Sequence, residues 1–138
     1  MESLYTAKVT ATGGRNGHVT SADGSLDVDV RTPKEMGGAE GPYLNPEILF
    51  AGGYASCFDS ALNLIIRTEN VQTGTTTVTA EVTLGKINNE AYNLALTLEV
   101  TVPGVDRQKA EELVHKAHQL CPYSNATRGN VDVTLVIK

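Results

Sequence analysis

The stretch Asn45–Arg67, NPEILFAGGYASCFDSALNLIIR, predicts one long helix that is buried over most of its surface. Asn45 suits the N-cap, Pro46 suits the first helical position, and Glu47 lies in the first turn, where the helix dipole favours negative charge. The few polar side chains that follow are spaced at i, i+3, i+4 and i+7 and share one narrow stripe: Ser56, Asp59, Ser60 and Asn63. Such a helix must be covered by a sheet, by a second helix or by another subunit.

This segment is also long enough to cross a membrane. At 1.5 Å per residue, the 22 residues 46–67 span about 33 Å, close to the thickness of a bilayer core. Polar residues and the pair Gly52-Gly53 interrupt the apolar run, however, and the flanking sequence is rich in strands of the soluble type. We therefore interpret the segment as a core helix.

Composition and charge narrow the class of protein. A chain of 138 residues with 41% hydrophobic and 20% charged residues fits one globular domain, which we place at residues 1–138. Its formal net charge of −5 disfavours nucleic acid and anionic membranes as partners. The first residues, MESLYTAKV, lack the basic-then-apolar pattern of a signal peptide, so we expect a cytoplasmic protein, in which a permanent structural disulfide would be rare.

The alternation of apolar and polar residues predicts an α+β fold of the order βββ-α-ββ-α-β, with antiparallel sheets packed on the central helix. Strands are expected at residues 5–11, 19–22, 26–30, 78–84, 94–102 and 131–137. Asp106 can cap a second helix. That helix should end at Cys121, because Pro122 disfavours the helical conformation for the residue before it. Residues 123–129 are expected to form a loop.

The two cysteines are the candidate reactive groups. Cys57 lies in the middle of the apolar helix and Cys121 lies at the end of the second helix, too far along the chain for a Cys-x-x-Cys motif. Both could be small core residues, because free cysteine is among the most buried residue types. A working thiol must instead ionise near pH 7, although its free pKa is about 8.5 and burial raises that pKa further. A reactive Cys57 would therefore need a cation held beside it.

Arg15 is the candidate for that cation, and Glu47 is the candidate carboxylate that holds it. Arg15 lies in the glycine-rich turn 13–17, from which its side chain can be aimed inward, and a guanidinium stays charged when desolvated. The alternatives are a solvated turn residue for Arg15 and a helix-dipole carboxylate for Glu47. Glu47 and Cys57 are ten residues apart, about 15 Å along a straight helix. Either the helix breaks at Gly52-Gly53 or the two residues meet across two subunits; we favour the second, an obligate homodimer.

The segments that carry these residues resemble a known family. NPEILFAGGYASCF and CPYSNATRGNVDVTL are similar to the two cysteine motifs of the organic hydroperoxide resistance proteins, a branch of the osmotically inducible protein C superfamily. LYTAKVTATGGRNG and DVRTPKEMGG also fit this family, so the resemblance covers nearly the whole chain.

The resemblance implies a thiol-dependent peroxidase that reduces alkyl and fatty-acid hydroperoxides to alcohols. By motif, Cys57 would be the peroxidatic cysteine and Cys121 the resolving cysteine, with a Cys57–Cys121 disulfide as the intermediate. Arg15 and Glu47 would be the polar pair that activates the thiolate. The resemblance further implies an intertwined homodimer, a dithiol or a lipoylated protein as reductant, and no metal, haem or flavin.

Two other functions remain open from the residues themselves. A metal-binding domain could use His115, His118 and Cys121, at i, i+3 and i+6 of the second helix. These three spread over about 120° of the helix, however, and a structural site usually needs four ligands, so both histidines are expected on the exposed face. A non-enzymatic small-lipid-binding domain would use Cys57 only to fill its core. Metal analysis and thiol titration with an alkyl hydroperoxide separate these alternatives.

Overall fold

Two three-stranded sheets and three α-helices make up the chain, which confirms the predicted α+β class. The structure is a computed structural model that describes residues 1–138. The strands are β1 (Val9–Thr12), β2 (His18–Ser21), β3 (Asp27–Asp29), β4 (Thr77–Lys86), β5 (Tyr92–Thr101) and β6 (Val133–Ile137). The helices are α1 (Pro46–Thr68), α2 (Arg107–Leu120) and α3 (Pro122–Thr127). The chain divides into two compact units, Met1–Leu49 and Phe50–Lys138, each with its own sheet.

The first unit contains an antiparallel meander of order β1-β2-β3. The predicted first strand began at Tyr5, but β1 begins at Val9, which pairs with Ser21 at the end of β2. After Ser21 the chain turns at Asp23-Gly24, and Gly24 takes the positive φ of 76° that this turn requires. Residues 5–7 therefore have no strand of this unit to pair with, and the strand starts later than its alternating pattern suggests.

Helix α1 runs through Gly52-Gly53 without a break. Asn45 caps it as predicted, since its side-chain oxygen accepts a hydrogen bond of 2.8 Å from the amide of Ile48. The continuity removes one of the two alternatives for the distant pair Glu47 and Cys57. These residues stay ten positions apart in one helix, about 15 Å along its axis.

Helix α1 buries one stripe of its surface rather than most of it, which corrects the expectation from the sequence. The buried residues recur at helical spacing: Tyr54, Phe58, Ala61, Leu62 and Ile66. In contrast, Ile48 and Leu64 are 47% and 45% exposed, so a single chain leaves part of this apolar helix uncovered. By length and composition alone, α1 is the one helix that could cross a membrane, a test that core helices also pass.

The second unit contains the sheet β4-β5-β6. Strands β4 and β5 form the predicted antiparallel hairpin, whereas β6 pairs with β5 in parallel, which departs from the antiparallel prediction. The reason is the connection: α2 and α3 lie between β5 and β6, and a crossover of this length lets the chain re-enter the sheet in the same direction. The inward residues of β5, the buried stripe of α1 and the buried face of α2 form one hydrophobic core.

The end of α2 follows the prediction, but the segment after it does not. Asp106 caps α2 by accepting a hydrogen bond of 2.7 Å from the amide of Lys109, and α2 ends just before Cys121. Residues 123–127, part of the predicted loop 123–129, form the short helix α3 together with Pro122. Pro122 occupies its first position, where a proline's missing N–H and fixed φ favour a new helix. The same proline thus ends one helix and begins the next.

Candidate active site

Cys57 and Cys121 lie together although they are 64 positions apart in the sequence. Their sulfur atoms are 3.8 Å apart, within hydrogen-bond distance for sulfur. Both thiols are free; Cys57 is half-buried, whereas Cys121 is fully buried. The sulfur atoms of a disulfide are about 2.05 Å apart, so a shift of less than about 2 Å would join the two residues.

The helix α1 positions the Cys57 sulfur, and the backbone conformation before Pro122 positions the Cys121 sulfur. Cys57 lies next to the buried Phe58 on α1, at the edge of the stripe that faces the core. Cys121 joins α2 to α3 with φ −61° and ψ 122°, an extended conformation that the following Pro122 imposes on it.

The surroundings within the second unit favour the protonated form of Cys57. Burial raises the pKa of its thiol; the backbone N–H of Tyr123 opposes this by favouring the thiolate, and the neighbouring Cys121 raises the pKa further. The net shift is upward. A Cys57 thiolate at neutral pH therefore needs an additional positive charge.

Arg15 and Glu47, the predicted polar pair, form an ion pair with two hydrogen bonds of 2.8 Å and 2.5 Å. Arg15 lies in a short 3-10 turn that Gly13 enters with a φ of 78°, and Glu47 lies in the first turn of α1. Their side chains are 31% and 17% exposed, so the guanidinium does not lie in bulk solvent. Its hydrogen bonds to Glu47 raise the pKa of Arg15 and lower the pKa of Glu47. Both groups are therefore charged at neutral pH, and each holds the other in place.

A buried hydrogen-bond network near the thiols was missed by the sequence analysis. The hydroxyl of Ser124, a fully buried residue, lies 3.0 Å from the hydroxyl of Tyr54 and 2.9 Å from Nδ1 of His118. Thr127 reaches the same Tyr54 hydroxyl at 3.1 Å. Tyr54 could have indicated this network from the sequence, because a tyrosine in the middle of an apolar helix needs a hydrogen-bond partner for its hydroxyl. Its partners were hidden by the prediction of a loop at residues 123–129.

Aromatic rings surround this part of the second unit. Phe50, Tyr54 and Tyr123 have ring centroids 5.6 to 6.2 Å apart. Tyr123 lies over Gly53, where a Cβ atom would come within 3.1 Å of the tyrosine hydroxyl. The missing side chain of Gly53 thus lets α3 approach α1. Because the amide of Tyr123 also faces Cys57, this aromatic cluster lies beside the thiol pair.

The metal-binding alternative finds no support in the geometry. No three His, Cys, Asp or Glu side chains of the chain converge to hold a metal ion. His115 is exposed, whereas His118 contacts Ser124 and is half-buried, contrary to the expectation that both histidines are exposed. Burial lowers the pKa of the His118 imidazole. The third candidate ligand, Cys121, contacts the sulfur of Cys57 instead.

Comparisons with known proteins point to one family. Residues 37–136 match a family described as OsmC-like protein. The chain is 47% identical over 135 residues to an organic hydroperoxide resistance protein of Xanthomonas axonopodis pv. citri (strain 306), which covers 97% of this chain and 94% of that protein. It is 49% identical over 142 residues to the organic hydroperoxide resistance protein OhrA of Bacillus subtilis (strain 168), with 99% and 97% covered. The crystal structure of an organic hydroperoxide resistance protein from Elizabethkingia anophelis superposes with a TM-score of 0.96 at 55% identity, covering 100% of this chain and 99% of that one.

Proposed function

The chain belongs to the OsmC-like family and, within it, to the organic hydroperoxide resistance proteins, and from this premise we propose that it is a peroxidase that reduces organic hydroperoxides to alcohols with its two cysteine thiols. The observation that carries the proposal is the 3.8 Å approach of the sulfur atoms of Cys57 and Cys121. Two thiols at this distance can be oxidised in succession, first to a sulfenic acid and then to a disulfide.

Cys57 is the peroxidatic thiol in this proposal, because it is the more exposed of the two. Its thiolate attacks the terminal oxygen of the hydroperoxide, the O–O bond breaks, and the sulfur retains OH as a sulfenic acid while the alkoxide takes up a proton and leaves as the alcohol. The Cys121 thiol then attacks the Cys57 sulfur, which forms the disulfide and releases water. A dithiol, such as the lipoyl group of a protein, reduces the disulfide by exchange. Because thiol sulfur supplies all the electrons, the proposal includes no metal, haem or flavin.

Arg15 supplies the positive charge that the Cys57 thiolate needs, and Glu47 holds the guanidinium in position. Lowering a thiol pKa from about 8.5 to about 6 takes roughly 3 kcal/mol. One guanidinium close to the sulfur in a poorly solvated site can contribute an energy of this order. Arg15 can also donate hydrogen bonds to the peroxide and stabilise charge on the departing oxygen.

We assign the Arg15–Glu47 pair to the Cys57 of a partner subunit in a homodimer. Glu47 and Cys57 are about 15 Å apart along one unbroken helix, which disfavours a shared site within that helix. The exposed apolar residues Ile48 and Leu64 on α1 also support a second copy as the cover that a single chain lacks. An active monomer in sedimentation at micromolar concentration would overturn the dimer.

Subunit complementation distinguishes sites within one chain from sites shared by two. Arg15→Met and Cys57→Ser homodimers should each be inactive. Refolding them together forms a mixed dimer in which the intact Arg15 of one chain can serve the intact Cys57 of the other. Recovered peroxidase activity is expected if the site is shared, whereas no recovery would place Arg15 and Cys57 in the same subunit.

Thiol titration tests the chemistry. One equivalent of cumene hydroperoxide should convert two thiols into one disulfide in the reduced protein. Cys57→Ser should abolish the reaction, whereas Cys121→Ser should allow one turnover and leave a sulfenic acid that dimedone traps. Unchanged thiol content in the wild-type protein would refute the proposal.

The aromatic cluster beside the thiols supports an apolar substrate. Phe50 and Tyr123, which are not fully buried, offer apolar surface to the organic part of a hydroperoxide, which hydrogen peroxide lacks. In competition, linoleic acid hydroperoxide and cumene hydroperoxide should therefore be consumed before hydrogen peroxide. We place the reaction in the cytoplasm, where reducing conditions keep both thiols available. Turnover should be sustained by dihydrolipoamide, a dithiol, and poorly sustained by a monothiol at the same thiol concentration.

A further inference from the structure

The short helix α3 and the residue before it, Cys121, supply the groups that approach Cys57. Cys121, immediately before α3, contributes the sulfur that lies 3.8 Å from that of Cys57. Six residues are too few for a stable isolated helix, since helices shorter than about 12 residues are marginal in water. Tertiary anchors must therefore determine where α3 lies. Cys121 is held between α3 and α2, where its amide donates a hydrogen bond of 2.8 Å to the carbonyl of Ala117, so the position of α3 affects the Cys121 sulfur from one side.

Ser124 is the anchor at the first turn of α3. It is fully buried, and its single hydroxyl lies within hydrogen-bond distance of Tyr54 on α1 and His118 on α2. A hydroxyl has one proton to donate and can also accept, so Ser124 can satisfy both partners at once. It thereby connects α3 to both of the helices that flank it.

We propose that Ser124 is a positioning residue whose hydroxyl, by bridging Tyr54 and His118, holds Cys121 against the sulfur of Cys57. The consequence for disulfide formation depends on the function proposed above, whereas the geometric role does not. Thr127 and Arg128 attach the other end of α3, through the Tyr54 hydroxyl and the His118 carbonyl. Those contacts explain why α3 should stay folded when the Ser124 hydroxyl is removed, with its first turn free to shift.

The same anchor also affects the ionisation of Cys57. The backbone N–H of Tyr123, next to Ser124, favours the Cys57 thiolate and opposes the effect of burial on its pKa. A first turn that shifts away would weaken this interaction and raise the pKa of Cys57. A residue that only stabilises the fold would not change a thiol pKa in the folded protein, so this quantity separates the two roles.

Ser124→Ala is the test variant, and Thr76→Val is the matched control. Thr76 is also a buried hydroxyl of the second unit, with partners at 2.6 Å and 2.9 Å, but those partners are Asp59 and Asn63 rather than α3. Both changes remove one buried hydroxyl and should lower stability. Only Ser124→Ala is expected to change the thiols.

The first measurement needs no peroxide. The pH dependence of iodoacetamide alkylation gives the pKa of Cys57 in proteins that also carry Cys121→Ser. Adding Ser124→Ala should raise this pKa by about one unit, the scale of one lost hydrogen bond to a thiolate, whereas adding Thr76→Val should not move it. A Cys57 pKa unchanged by Ser124→Ala would contradict the role proposed for Ser124 in orienting α3.

The second measurement is the rate of disulfide formation. Diamide takes two hydrogens from two thiols and leaves a disulfide, so it reports the approach of Cys121 to Cys57 without a peroxidase reaction. Ser124→Ala should slow this step about tenfold or more, because small errors of alignment strongly reduce intramolecular rates. With cumene hydroperoxide, the same variant should show more dimedone-trapped sulfenic acid and less disulfide than wild type.

The outcomes separate failure of this inference from failure of the proposed function. If wild type does not react with hydroperoxide but Ser124→Ala still slows the diamide reaction, the peroxidase assignment is wrong and the positioning role stands. If Ser124→Ala matches Thr76→Val in the Cys57 pKa or in the diamide rate, Ser124 does not hold α3 as proposed and the inference is overturned. Should Ser124→Ala fail to fold, Tyr54→Phe removes one of the two partners of Ser124 together with the Thr127 contact, and leaves His118 as the partner of Ser124. It should change the Cys57 pKa and the diamide rate in the same direction; no change would overturn the inference.

Discussion

Oxidation of Cys57 and Cys121 to a disulfide should raise the melting temperature of the protein substantially. The two sulfurs are 3.8 Å apart and the bond would close a loop of 64 residues. In the chain-entropy model a cross-link over this length removes about 14 cal/mol/K of entropy from the unfolded chain, which stabilises the folded state by about 4 kcal/mol at 25 °C. The native sulfurs need to move less than about 2 Å, so the bond should form without a large rearrangement.

The expected size of the shift follows from the length of the chain. Unfolding of a protein of 138 residues has an entropy of about 0.3 kcal/mol/K near its melting temperature. A stabilisation of about 4 kcal/mol therefore corresponds to an increase of roughly 10 to 15 °C. Differential scanning calorimetry of the reduced protein, and of protein treated with one equivalent of cumene hydroperoxide, measures the difference.

Two controls make the thermal result decisive. Excess dithiol should return the oxidised protein to its original melting temperature, and Cys121→Ser should show no increase after the same treatment. A non-reducing gel checks that the bond lies within one chain. An unchanged melting temperature in protein that has lost both thiols to an intrachain disulfide would refute the reasoning from loop closure.

Two further predictions concern the ion pair and the glycine pair. Glu47→Gln should lower the free energy of unfolding by about 1 kcal/mol at pH 7. Because Arg15 lowers the pKa of Glu47 in the folded protein, this difference from wild type should be complete above about pH 4.3, the pKa of an unfolded glutamate. It should disappear as the pH falls from there through the lowered pKa of the folded state. Urea unfolding at a series of pH values checks this, and a constant difference down to pH 2 would contradict it. Gly53→Ala should displace the side chain of Tyr123, whose hydroxyl oxygen lies 3.1 Å from the new Cβ, and slow disulfide formation by diamide. Gly52→Ala, with nothing within 4 Å of its Cβ, should instead add about 1 kcal/mol of stability. Equal diamide rates for the two variants would show that the Tyr123 contact does not influence the thiols.

The fold was predictable where a local signal decides it. The central helix begins with the cap at Asn45 and continues through its glycines, and α2 begins at the predicted cap Asp106. The hairpin of β4 and β5 follows the alternation of its apolar residues. The start of β1 was not predictable in the same way, because a strand extends only as far as its partner does, and Ser21 is the last residue of β2.

The candidate site was predictable in its residue types and only partly in its geometry. Arg15, Glu47 and the two cysteines were singled out from chemistry and from motif resemblance, and the structure pairs Arg15 with Glu47 and Cys57 with Cys121. Ser124 was missed because a serine in a predicted loop carries no pattern of its own. Its importance arises from partners on two other helices.

The sequence by itself determined the long apolar helix, the break that Pro122 imposes after Cys121, and the kinds of side chain available for thiol chemistry. These depend on capping, on proline geometry and on residue type, all of which act within a few positions of the chain. Only the tertiary structure decided that β6 lies parallel to β5, that the sulfur of Cys57 meets that of Cys121, and that Ser124 connects three helices. Each of these contacts joins residues that are distant in the sequence or on different elements. It can therefore stabilise the protein only once the core of the second unit has packed.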